Sequence, residues 1–179
     1  GYFSPYGNPQ LKDGPEGEYL TDRLTDEVIR YISEPKEKPF FVYLSYYTVH
    51  LPLQAKAEKI AKYRRKLSRA VPADSSFVKK GETYHKLVQD IPAYAAMVES
   101  LDENIGRLLD ILHRSGLDER TIVVFTSDNG GMATSNTTRN IPTSNLPLRA
   151  GKGYLYEGGI KVPAIIRWSG HLKGRQVSD

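Results

Sequence analysis

Cysteine is absent from the 179 residues, which excludes disulfides, zinc–thiolate centres and a cysteine nucleophile within this chain. A run of about 18 apolar residues, the length a transmembrane helix needs, is also absent. The opening stretch Gly1-Tyr2-Phe3-Ser4-Pro5 has neither a basic n-region nor an apolar h-region, so no secretion signal is read there. Neither sign of charge dominates: 25 Lys and Arg face 21 Asp and Glu, a net +4, too weak to point to nucleic acid. What remains is 39% apolar and 26% charged, the balance of a folding chain rather than a disordered one.

Residues 1–20 are rich in Gly, Pro and Tyr and read as a loop without a core pattern. A helix follows, with Thr21 or Thr25 as its cap, Leu24, Val28, Ile29 and Ile32 as its apolar stripe, and Pro35 as its stop. Residues 39–46, Pro39-Phe40-Phe41-Val42-Tyr43-Leu44-Ser45-Tyr46, are apolar without alternation. That pattern predicts a strand buried on both faces, as in a parallel sheet covered by helices. Residues 54–90 are polar and basic and predict a helix, then a loop from about Pro72 to Gly81. The clearest periodicity runs through Tyr94, Val98, Leu101, Ile105, Leu108 and Leu112, a helix over about 91–114 with Pro92 in its first turn and Gly116 at its stop. A second buried strand spans Thr121 to Thr126, residues 132–150 read as loop, and a third strand runs from Val162 to Trp168. This order predicts a three-layer α/β/α arrangement around a mostly parallel sheet. Ligands of such sheets bind beyond the carboxyl ends of the strands, where His50 and the pair Asp128-Asn129 both fall.

Asp128 and Asn129 offer a carboxylate and an amide oxygen, hard donors suited to calcium or magnesium rather than zinc. Gly130 and Gly131 would turn the backbone and keep the mouth of the site open. Asp-Asn-Gly-Gly is equally good turn chemistry, and two donors fall short of the roughly six to eight that calcium takes. Lys152 lies between Gly151 and Gly153, where an anion can approach the ammonium closely. A Walker loop is a poor match, because Leu146 and Gly153 stand where it needs Gly and Ser or Thr. His50 can donate a proton or bind an anion, although a single histidine is more often structural or exposed. His85, His113 and His171 lack a comparable placement; His113 ends the long helix, where positive charge favours the helix dipole. Lys56 to Arg69 holds seven basic residues and one acid. With only Tyr63 interleaved, this run reads as a solvated helix face before a nucleic-acid patch. Asn136-Thr137-Thr138 is a formal glycosylation sequon.

Three ordered motifs resemble one family. They are Thr121 through Gly131; Leu148-Arg149-Ala150-Gly151-Lys152-Gly153 with Tyr156-Glu157-Gly158-Gly159-Ile160; and Phe40 through Leu44 ending in Tyr47-Thr48-Val49-His50-Leu51-Pro52. Together with the helix around Ala96 to Asp102, they resemble the type I, formylglycine-dependent sulfatases over about Thr21 to Gly170. The resemblance implies an alkaline-phosphatase-like α/β fold and hydrolysis of sulfate esters of carbohydrates, sulfolipids or aryl compounds. It implies that Asp128 and Asn129 are calcium ligands, with magnesium as an alternative. Lys152 would grip the sulfate, and His50 would bind it and help the leaving oxygen depart. A cation, an ammonium and an imidazolium aimed at one sulfate would stabilise the charge that gathers on its oxygens.

The chain departs from the family pattern in one large respect. The family nucleophile is a formylglycine made in a Cys/Ser-x-Pro-x-Arg motif, and no such motif occurs: Ser4 is followed directly by Pro5, and Ser33 and Pro35 are followed by Glu37. The paired N-terminal aspartates of the calcium site also lack counterparts. The expectation is therefore a single partial catalytic domain over 1–179, with a loop-rich lead-in at 1–20, an α/β core portion at 21–170 and a tail at 171–179. The isolated chain would be inactive and a longer parent would be the enzyme. Its substrate would be a sulfated small molecule or glycan, not nucleic acid, in a periplasmic, secreted or lysosomal-type compartment. The competing readings are a phosphate or phosphonate ester hydrolase of the same superfamily, a non-catalytic anion- or glycan-binding module and, most distantly, a nucleic-acid binder. Placed over the strand ends, the basic run would also draw polyanionic substrates toward them.

Overall fold

The structure is a computed structural model and describes residues 1–69, 76–138 and 141–177. Helix α1 spans Leu20–Ser33 and α2 spans Ala57–Leu67. Strands β1, Phe77–Lys80, and β2, Thr83–Lys86, form a hairpin. Helix α3 spans Pro92–Arg114, followed by a 3-10 turn at Asp118–Arg120 and strand β3 at Val123–Thr126. The short strand β4 is Thr134–Ser135, helix α4 is Glu157–Ile160 and strand β5 is Ala164–Arg167.

The helices stand where the periodicity puts them, but the face that α1 and α3 bury is different. Thr21 and Thr25 do not cap α1, whose N-cap is Tyr19. Both are buried inside it. The Thr25 hydroxyl bonds the Thr21 carbonyl at 2.8 Å and lies 2.7 Å from the Tyr46 hydroxyl; Thr21 meets Thr48 at 2.5 Å. Hydroxyls that satisfy each other can be enclosed at little cost, and here they fasten α1 to the segment leading to His50. On α3 the buried residues are Ala96, Met97, Ser100, Asn104 and Leu112, while Val98, on the predicted stripe, is exposed. Small and hydrogen-bonded side chains let α1 and α2 approach closely, with Asn104 donating to Asp22 across the α1–α3 contact at 2.8 Å. Gly116 adopts φ +66 and ends α3 as expected, with the Leu117 N–H on the Leu112 carbonyl.

The sheet departs further from expectation. Every pairing among the described strands is antiparallel: β1 with β2, β2 with β4, and β3 with β5. The mostly parallel sheet is therefore not seen among the described residues. Residues 40–47 run without a ladder partner, and Phe41 and Tyr43 are 88% and 83% exposed. β3 alternates half-buried and exposed positions instead of burying both faces. An uninterrupted apolar run reports what a strand needs to have covered; among the described residues nothing covers Phe41 and Tyr43. Residues predicted as loop around Gly81 form the β1–β2 hairpin, with Gly81 at φ +58 in its turn; the start of that predicted loop, at 72–75, lies outside the described residues.

The lead-in residues, expected to be coreless, hold the core. Tyr2 and Tyr19 are buried with Ala55, Ala96 and Met97, and their rings stack with centroids 5.8 Å apart. Burial pushes the Tyr19 hydroxyl up to about 12, and its bond to the Gln54 carbonyl at 2.9 Å satisfies it. Tyrosine needs such a partner when enclosed. These two rings fix residues 47–54, and thereby His50.

Candidate functional site

Asp128 and Asn129 follow β3 after one residue, Ser127. Their loop is knitted to a second one, residues 145–159, by main-chain hydrogen bonds. The Gly130 N–H reaches the Gly159 carbonyl at 2.9 Å, and the Lys152 N–H reaches the Gly131 carbonyl at 3.0 Å. The structure therefore joins the loops of the metal-ligand candidates and of the candidate anion-binding Lys152 through the backbone.

The glycines act differently from the expectation. Gly130, Gly151, Gly158 and Gly159 are buried, not an open mouth. A Cβ on Gly131 would meet Asn145 Oδ1 at 2.8 Å, one on Gly151 would meet the Ala133 nitrogen at 2.7 Å, and one on Gly158 would meet the Arg149 carbonyl oxygen at 2.5 Å. Two backbones touch here, and only glycine leaves room for them. Sharp turning falls to Gly153 at φ +88 and, unusually for a residue with a side chain, to Ala150 at φ +62.

Asn145 was missed, because residues 132–150 carry no periodic signal. Its amide nitrogen faces the carbonyls of Gly131 at 2.7 Å, Gly158 at 2.8 Å and Ala150 at 3.2 Å. One side chain thus ties the Asp128 loop, the Lys152 loop and α4 together. His85 was set aside and lies close by. Its ring nitrogens sit 3.1 Å from the Thr83 and Thr134 hydroxyls, and burial, with Lys80 and Arg149 adding repulsion, holds its pKa below the ordinary 6.5.

His50 is exposed, with Nδ1 3.0 Å from the Leu51 carbonyl oxygen. The Tyr2 hydroxyl donates toward the carbonyls of His50 at 2.8 Å and Tyr47 at 2.9 Å. Among the described residues no hydrogen bond or ion pair joins His50 to Asp128, Asn129 or Lys152. A cleft of about 850 Å³ opens beside the residues that follow His50. It is lined by Leu51 to Leu53, directly after His50, and by Ile141 and Pro142, in the stretch between Gly131 and Lys152.

As a cation site, Asp128 and Asn129 fit in donor chemistry. Asp128 is exposed, and the Asn129 amide nitrogen donates to the Gly130 carbonyl at 3.2 Å, which leaves the side-chain oxygen as the ligating end. No group of three or more His, Asp or Glu lies together among the described residues, so these two alone would form only one side of a hard-cation shell.

The sulfatase family model matches residues 1–179. The chain belongs to the sulfatase family. It is 35% identical to a sulfatase of Formosa agariphila, over 96% of this chain and 28% of that protein. It is 33% identical to mouse steryl-sulfatase, over 89% of this chain and 22% of that one. Among solved structures, Ps i-CgsB in complex with k-i-k-neocarrahexaose is 32% identical, with a TM-score of 0.65 over 90% of this chain and 31% of that chain. This sulfatase chain thus spans about a third or less of these relatives' length. Its fold is the mixed α/β fold of the sulfatases in part. No helix among the described residues is long and apolar enough to cross a membrane.

Proposed function

We propose that the protein hydrolyses sulfate esters, and that this chain supplies the cation-binding pair Asp128 and Asn129 and the sulfate-binding residues Lys152 and His50. The observation that carries the reading is the 3.0 Å bond from the Lys152 N–H to the Gly131 carbonyl, which holds the ammonium-bearing loop beside the hard-oxygen pair. Calcium, or magnesium in its place, would be held by Asp128 and Asn129 and would supply positive charge against the sulfate oxygens. Lys152 adds a point charge on the same anion. His50, directly before the cleft residue Leu51, is assigned to binding the ester and to delivering a proton to the leaving oxygen. The nucleophile belongs to sequence outside these 179 residues, since they hold no cysteine and no Ser-x-Pro-x-Arg. Sulfated carbohydrates are the favoured substrates, because a structural neighbour of similar sequence is solved with neocarrahexaose and the mouse relative at 29% identity is an N-acetylgalactosamine-6-sulfatase. A periplasmic, secreted or lysosomal-type compartment fits that substrate class, and residues 1–179 are read as part of one catalytic domain.

The test is hydrolysis of 4-nitrophenyl sulfate and 4-nitrophenyl phosphate by the full-length protein and its Lys152→Ala and His50→Ala variants. Turnover of the sulfate that drops by about 100-fold or more in each variant is expected, the scale of removing one transition-state contact. Preference for the phosphate would replace the sulfatase reading with a phosphoesterase, and unchanged activity in a variant would remove that residue from the site.

A further inference from the structure

The cleft beside His50 has a feature that the sulfate site does not use. Lys86 on β2 is buried to 2% exposure, with its ammonium 2.5 Å from Asp90 Oδ1 and 4.5 Å from the centre of the Phe77 ring. Asp90 is the more open partner, a quarter exposed, and its second oxygen accepts the Ser76 hydroxyl at 2.7 Å. Both residues line the cleft. Burial works against the Asp90 charge, but the hydrogen bonds from Lys86 and Ser76 outweigh it and hold the carboxyl below its usual range. Oδ1 is enclosed against the Lys86 ammonium, so the ionised carboxylate meets the cleft through Oδ2, with its counter-cation shut behind it. Around it stand the apolar side chains of Leu51, Pro52 and Pro142.

This wall is also fixed relative to the sulfate-binding residues. The Lys86 N–H donates to the Ala133 carbonyl at 3.0 Å, two residues beyond the Gly131 carbonyl that holds Lys152.

We propose that this cleft binds an unsulfated sugar ring next to the sulfated one, with Asp90 accepting its hydroxyls and the apolar walls meeting its C–H face. The proposal rests on the sulfatase reading above and names the part of the substrate beyond the sulfate. The volume matches a small-molecule site of about 300–1,000 Å³. A carboxylate accepts the hydrogen bonds of paired hydroxyls, and it repels a second sulfate at the same place. Such a cleft discriminates by what it rejects as well as by what it holds.

The experiment compares kcat/KM on carrageenan and chondroitin sulfate hexasaccharides with kcat/KM on 4-nitrophenyl sulfate, using the full-length protein. The wild type should prefer a hexasaccharide. Replacing the ion pair together, Lys86→Met with Asp90→Leu, avoids leaving one charge buried alone. The hexasaccharide-to-aryl ratio should fall by about tenfold or more, the loss expected for removed hydroxyl contacts, and the change should sit in KM. Pro52→Glu, at an exposed rim position, leaves the pair intact and should lower the same ratio by adding a carboxylate to the cleft. An unchanged ratio in folded variants overturns the proposal. So does a wild type that turns over 4-nitrophenyl sulfate without preferring any hexasaccharide, which leaves the sulfatase reading standing. Failure to hydrolyse any sulfate ester overturns that reading itself.

Discussion

The main-chain N–H of Lys152 rests on the carbonyl of Gly131, 3.0 Å away, although the residues are far apart in sequence. That contact holds the loop bearing Lys152 against the loop bearing Asp128 and Asn129, and the consequences can be measured.

Calcium binding should be visible without any turnover. At about 100 times its Kd, a cation that binds only the folded state adds about 2.7 kcal/mol of stability. Calorimetry of the full-length protein should show the melting temperature rise with calcium and fall with EDTA. Asp128→Ala should abolish the response, and an undiminished response would take Asp128 out of the cation site.

Asn145→Ala should be costly for a polar-to-apolar change in a loop. It strips the side-chain donor from the Ala150 and Gly158 carbonyls, while the Gly131 carbonyl keeps the Lys152 N–H, and each buried group left unpaired costs about 1–3 kcal/mol. Urea unfolding should show a loss of about 2 kcal/mol or more. Asn145→Asp should not rescue it, because a carboxylate cannot donate to carbonyls.

Gly151→Ala tests the close backbone approach. Its Cβ would sit 2.7 Å from the Ala133 nitrogen, with the Gly131 carbonyl closer still, so the two loops must separate. Overpacking of this kind costs about 1–3 kcal/mol. Gly174→Ala, where nothing crowds the added carbon, is the control and should leave the melting temperature unchanged.

His85 gives a pH dependence with a definite sign. Its folded pKa lies below the unfolded value of 6.5, so the unfolded chain binds the proton more readily. Stability should fall as pH drops through 6.5 and below, and be fully retained above it. Denaturation at stepped pH should show this slope, reduced in His85→Gln.

The basic run from Lys56 to Arg69 serves two roles, with Lys62 in both. Lys59 and Lys62 pair with Glu99 of α3 at 3.4 and 2.6 Å, and Lys56 pairs with Asp22 of α1 at 2.5 Å. Arg65, Lys66 and Arg69 border an open hollow. Charge reversal at Arg65 and Lys66 should lower the salt concentration at which the protein leaves a heparin column, and it should leave thermal stability within about 0.5 kcal/mol. Charge reversal at Lys59 should destabilise, because it sets a carboxylate against Glu99 and Glu103.

The amino-acid sequence by itself determined the elements whose causes are local. Pro92 and Gly116 bound α3 because a missing N–H is tolerated at a helix start and a left-handed turn at its end. The Asp-Asn-Gly-Gly loop was placed after a strand because β-branched residues precede it. The motifs around His50, Asp128 and Lys152 also carried the family, which the comparisons bear out. Only the tertiary structure decided the rest. Strand direction depends on which neighbour a strand meets, and neither β3 nor β5 encodes that meeting. The roles of Tyr2, Tyr19 and Asn145 depend on carbonyls distant in sequence. The glycines of the two site loops are needed for closeness between backbones, a property of the pair of segments that neither segment holds alone.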